Sequence, residues 1–130
     1  MPCMSRIAGD RARGALPEGR GQDYARVLRL PARYVIHTVG PWYESREVSA
    51  PRLARCYESS LRLANENGLR SIAFPAISCG VYGYPIEEAA EVAIEACRQF
   101  HGAVTDLRFV LYGQEAYEQW LAVAQRVIRG

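Results

Sequence analysis

Apolar positions fall into two registers along this chain, and they divide it near residue 28. Before that point Ile7, Leu16 and Val27 stand singly among Gly, Arg and Pro, and no period of 2 or 3.6 emerges. The pattern predicts no element there. Beyond it, Tyr34-Val35-Ile36-His37-Thr38-Val39 is β-branched and aromatic, and Gly40-Pro41 stops it, which predicts a strand. Leu53, Cys56, Tyr57, Leu61 and Ala64 recur at helical spacing. Ser49 is the predicted cap of that helix, Pro51 falls in its first turn, and Gly68 ends it. Ser71-Ile72-Ala73-Phe74 follows as a short buried strand.

A second helix is predicted from Pro85, with Ile86, Ala89, Ala90, Ala93, Ile94, Cys97 and Phe100 on one face and His101-Gly102 closing it. Residues 107–112 form a third strand. A last helix starts near Gln114 and turns Tyr117, Trp120, Leu121, Ala124 and Ile128 inward. The order β-α-β-α-β-α implies a largely parallel sheet with right-handed crossovers, an α/β class of fold.

Composition narrows the picture. The 130 residues suffice for one domain with a core. No run of 18 apolar residues occurs, the N-terminus has no apolar signal region, and the expected setting is cytoplasmic, with no membrane partner. A net charge of +2 is too weak to argue for nucleic acid. All 16 basic residues are arginine, and seven of them precede residue 34, so a basic arm for phosphate backbones was weighed against a solvated tail; composition favours the tail. Cys3, Cys56, Cys79 and Cys97 make no C-x-x-C pair and no zinc spacing. They predict reduced thiols, no disulfide framework, no metal and no cofactor.

In open parallel sheets, ligands sit beyond the C-terminal strand ends. Three segments arrive there: Gly40-Pro41-Trp42, residues 75–85, and Tyr112-Gly113-Gln114. The middle one, Pro75-Ala76-Ile77-Ser78-Cys79-Gly80-Val81-Tyr82-Gly83-Tyr84-Pro85, joins a strand to a helix N-terminus. Its glycines let backbone amides approach a ligand, and the helix adds unpaired N–H groups. Mechanism alone supports an anion-binding loop or, at even odds, a tight turn that binds nothing. Cys79 and His37 suggest a thiolate nucleophile, but His37 within an apolar strand reads more simply as a core histidine. Asp106 should lie on the face away from the ligand. Glu87 and Glu88 belong to a helix first turn, and Trp42-Tyr43 reads equally as a pocket rim or a packed pair.

Leu30-Pro31-Ala32-Arg33-Tyr34-Val35-Ile36-His37-Thr38-Val39-Gly40-Pro41 resembles the strand signature of macro domains, and residues 71–85 resemble their second phosphate-binding loop. The resemblance runs over residues 30–128. It is nearest the branch of bacterial O-acetyl-ADP-ribose deacetylases and mono-ADP-ribosyl hydrolases. It implies a three-layer α/β/α fold and a ligand that is ADP-ribose or an O-acetyl-ADP-ribose-like derivative, free or carried on an ADP-ribosylated protein. It assigns Ser78, Cys79, Gly80, Val81, Tyr82 and Gly83 to the diphosphate and distal ribose, and Tyr112 to the adenine side.

The family's N-terminal motifs are missing: an adenine-reading Asp, Asn-Ala-Ala-Asn, and a glycine-rich loop with Val-Asp-Gly. Asn65-Glu66-Asn67 ends a helix and is no substitute. The chain therefore reads as a partial macro domain at 30–130 behind a non-matching, poorly ordered segment at 1–29, as a misplaced start or shifted frame would produce. No catalytic residue can be assigned. The alternatives are a non-catalytic ADP-ribose or phosphate-binding remnant, and a poly(ADP-ribose)- or RNA-binding module.

Overall fold

The computed structural model describes residues 5–9, 32–100 and 102–129. Its elements are β1 (Ser5–Gly9), β2 (Tyr34–Thr38), α1 (Arg46–Glu66), β3 (Ser71–Phe74), α2 (Ile86–Gln99), β4 (Asp106–Phe109) and α3 (Gln114–Arg129). Strand β1 corrects the expectation that no element precedes residue 28. It pairs antiparallel with β2, from Ser5 opposite Thr38 to Gly9 opposite Tyr34. Its pairing is tertiary, and five residues are too few for a period to show in the sequence. The Ser5 hydroxyl donates to Thr38 Oγ1 at 2.9 Å and lies 2.6 Å from Ser59 Oγ on α1. The rest of the 1–29 segment lies outside the described residues, as does His101.

Helix α1 starts three residues before its expected cap. Ser45, in extended conformation, accepts from the Val48 amide at 3.3 Å. Ser49 is instead fully buried inside the first turn, where its hydroxyl accepts from the Glu44 amide. At the other end Gly68 adopts φ +66, as a helix-terminating glycine must, and Leu69 N–H reaches back to Ala64 O at 2.9 Å. Cys56 sits on the buried face of α1 as its spacing predicts, but as a half-cystine whose partner lies outside the described residues. Cys79 and Cys97 carry free thiols.

Strands β3 and β4 pair in parallel, Phe74 beside Phe109 and Ala73 beside Arg108. The even-numbered side of β3 builds the core. Tyr57 of α1 stands edge-on to Phe74 with centroids 4.9 Å apart, and Phe109 meets Trp120 of α3 at 5.2 Å. Helices α1 and α3 therefore cover the same face of this pair, with α2 packed between them. On the opposite face Ser71, Ala73, Asp106 and Arg108 are exposed. The described residues thus supply the sheet and one helical layer of an α/β fold.

The apolar stripe of α3 is wider than its contact. Trp120 and Val123 are buried, whereas Tyr117, Leu121 and Ile128, expected inward, are exposed. Among the described residues, no helix is long and apolar enough to cross a membrane.

Candidate functional site

Residues 75–85 leave β3 and cross its C-terminal end before entering α2. The loop is fixed from below by one buried side chain. Tyr57, fully buried, donates its hydroxyl proton to Pro75 O and accepts from the Ile77 amide, both at 3.4 Å. Its burial pushes the phenol well above its ordinary pKa, so it stays protonated and can donate. Within the loop, Cys79 N–H donates to Ala76 O, Tyr84 N–H to Ser78 O, and Gly83 N–H to Gly80 O. Two residues sit in the left-handed region that these turns require: Ser78 at φ 69 and Gly83 at φ +71.

These bonds satisfy some amides and leave others. Among the described residues, the N–H groups of Gly80, Val81 and Tyr82 have no acceptor in the protein. Val81 is 88% exposed and an added Cβ at Gly80 would meet nothing within 4 Å, so the backbone around these two residues is uncrowded. Successive unpaired amides in a turn make an anion-binding concavity. The helix N-terminus adds less than its position suggests. Pro85 offers no side-chain cap, and Glu88 in the first turn is engaged by Arg46 at 3.0 Å.

The loop is also held from the side. The Tyr43 amide donates to Tyr82 O at 3.0 Å, the Trp42 and Tyr82 rings lie 4.5 Å apart, and Tyr43 stands edge-on to Tyr84 at 4.9 Å. Trp42 is 63% exposed with its ring against Tyr82, and Tyr43 is packed against Tyr84. Gly40 comes closest of all. A Cβ there would stand 2.1 Å from Ser78 Oγ and 2.6 Å from Ile77 Cγ2, so only glycine fits at the end of β2. Ser78 Oγ is buried with no partner. Neither the Gly40 contact nor the Tyr57 bridge was legible beforehand, although a tyrosine on an otherwise apolar helix face hints at a polar tip with a task.

Tyr112 lies in a turn rather than at a strand end, because β4 stops at Phe109. It is wholly exposed and packs against none of the loop residues. Asp106 opens β4 and is paired with Arg108 at 3.1 and 3.2 Å, as a structural carboxylate. His37 is exposed rather than in the core, which corrects its expected placement. Burial raises the Cys79 thiol to about 11, so at neutral pH it is a thiol and a poor nucleophile. Among the described residues, no group of three His, Cys, Asp or Glu could hold a metal.

The loop borders a cleft of about 1450 Å³ that runs from Ser78 and Tyr82 back between β2 and β3. The macro domain family model matches residues 25–93, which takes in β2, the whole loop and most of α2. The chain belongs to the macro domain family. A macro domain-containing protein of Streptomyces coelicolor is 45% identical over 120 residues, which is 92% of this chain and 70% of the relative. One of Vibrio parahaemolyticus is 50% identical over 91 residues, 70% of this chain and 54% of that one.

Among solved structures, a variant of the Oceanobacillus iheyensis macrodomain with ADPR superposes with a TM-score of 0.73 at 39% identity, over 78% of this chain and 56% of that one. A Trypanosoma brucei macrodomain in complex with ADP-ribose gives 0.63 at 39% identity, over 76% and 41%. The family model starts at residue 25, five residues before Leu30. The chain nonetheless spans about half the length of most of these relatives.

Proposed function

We propose that this macro domain chain binds ADP-ribose or a derivative, with the diphosphate held on the amides of Gly80, Val81 and Tyr82. The observation that carries this is the run of three adjacent donors with no acceptor among the described residues, on a turn braced by Tyr57 and Tyr43. Pre-bracing lowers the ordering cost of binding. Ser78, Cys79 and Gly83 shape the turn, and the Tyr82 ring, leaning on Trp42, offers an aromatic wall for the distal ribose. Tyr112, exposed three residues beyond the C-terminal end of β4, is assigned the adenine; a base stacked there would gain ~1–3 kcal/mol. Solved relatives with ADPR, ADP and ADP-ribose support the ligand class.

Hydrolysis of an ADP-ribosyl ester, which the deacetylase-like branch implies, needs a group to position water. Here the loop's thiol is protonated and Glu88 is tied to Arg46. This favours a binding module, able to hold free or protein-attached ADP-ribose, over a turning-over hydrolase. Calorimetry tests it. ADP-ribose and ADP should bind and adenosine should not, and Val81→Pro, which deletes one donor, should weaken ADP-ribose about tenfold. Equal affinity for adenosine, or no effect of Val81→Pro, would overturn the diphosphate assignment.

A further inference from the structure

Glu87 and Glu88 stand side by side in the first turn of α2, where both favour the helix dipole. Their surroundings differ, because adjacent helical residues point about 100° apart. Glu87 is exposed, whereas the Glu88 side chain is only 17% exposed and meets the start of α1. There Arg46 Nε lies 3.0 Å from Glu88 Oε1, and Arg46 Nη1 donates to Glu91 Oε2 at 3.1 Å. Glu88 and Glu91, three residues apart, share one face of α2, and the guanidinium bridges them with two different nitrogens. On its other oxygen Glu91 takes Arg126 of α3.

Arg46 is an odd first residue for a helix. A cation there opposes the positive end of α1's own dipole. Two carboxylates from α2 offset that cost, so the clamp ties the start of α1 to the start of α2. Each helix is entered from a segment of the candidate site. Residues 40–45 lead into α1, and residues 75–85 lead into α2. The contacts between those two segments lie immediately ahead of the clamp: Tyr43 N–H to Tyr82 O, Trp42 on Tyr82, Tyr43 on Tyr84, and Gly40 against Ser78. Tyr43 also leans on the clamp directly. Its phenol is raised above its ordinary pKa first by a hydrogen bond to Glu88, then by desolvation and by that carboxylate's charge.

We propose that Arg46 is a positioning residue for the anion loop. By gripping Glu88 and Glu91 it sets the distance between the two segments, keeps Tyr43 N–H on Tyr82 O, and so fixes the turn that carries the amides of Gly80, Val81 and Tyr82. It touches no ligand itself. This deepens the ADP-ribose reading and rests on it for the ligand, but not for the geometry. Ion pairs as exposed as this one, with Arg46 59% exposed, add little to global stability. The effect is therefore local: without the clamp the two segments separate more often while the core stays folded.

Amide hydrogen exchange on the full chain, resolved by residue and without ligand, tests this. In Arg46→Ala the Tyr43 amide should exchange about tenfold faster while Tm stays essentially unchanged. Calorimetry should show ADP-ribose binding weakened about fivefold, because the turn is less well set before the ligand arrives. Arg46→Lys keeps a cation between the two carboxylates and should recover most of both differences. Arg126→Ala releases Glu91 only on the α3 side and should leave the Tyr43 amide as in the unaltered chain. Should Arg46→Ala not fold, Arg46→Gln, similar in length and uncharged, takes its place. Unchanged exchange at Tyr43, equal acceleration in Arg126→Ala, a Lys variant no better than the Ala one, or a broad fall in Tm overturns the proposal. Failure of the unaltered chain to bind ADP-ribose overturns the diphosphate reading instead, and exchange at Tyr43 still decides the role of Arg46.

Discussion

The two faces of the β3–β4 pair are built from alternate residues of the same eight, and they have opposite fates. One face presents Ile72, Phe74, Leu107 and Phe109 to Tyr57 and Trp120 and forms the centre of the core. The other presents Ser71, Ala73, Asp106 and Arg108 to solvent. Period-2 alternation alone would suggest an ordinary half-buried sheet. Stability is concentrated on the helix-covered side, and the other side adds little to it.

Substitutions can break that contrast. Phe74→Ala should have the largest effect: it removes a ring packed on Tyr57 and Phe109, and ~3–5 kcal/mol of stability should disappear from chemical denaturation. Gly40→Ala comes next. Its new methyl must displace Ser78 Oγ or Ile77, at ~1–3 kcal/mol, and ADP-ribose affinity should fall with it because the braced turn moves. Arg108→Ala, next to Phe109 in the same strand but on the other face, should leave stability essentially unchanged, since its ion pair with Asp106 is exposed. A loss at Arg108 as large as that at Phe74 would mean the outer face is already covered in solution.

Alkaline pH sharpens the same comparison without mutation. Burial raises Cys79 from 9.0 to about 11, Tyr84 from 10.0 to about 12 and Cys97 from 9.0 to about 12. All three are acids whose neutral form the folded state prefers. Their contribution is complete below their ordinary values and is lost as pH rises through the raised ones. Tm should therefore hold to about pH 8.5 and decline from there towards pH 12. Alkylation of Cys79 by iodoacetamide should be slow at pH 7 and accelerate steeply with pH; fast labelling at neutral pH would contradict the buried thiol.

Much of this was readable from spacing. Helical periodicity located the three described helices, and Gly68 marked the end of the first. What escaped was whatever depends on a distant partner. Strand β1 exists through β2, Ser45 took the capping role because Ser49 was needed inside, and α3 buries Val123 rather than Tyr117 and Leu121 because its contact arc is set by α2 and Phe109. A periodic pattern shows that a face is apolar, and only packing decides which part of that face is covered.

The closeness of Gly40 to Ser78 joins the far end of β2 to the anion loop with no slack between them. A shift of β2 must therefore press on the turn that carries Gly80 to Tyr82. Any ligand that binds this turn and any change that moves β2 are then thermodynamically linked.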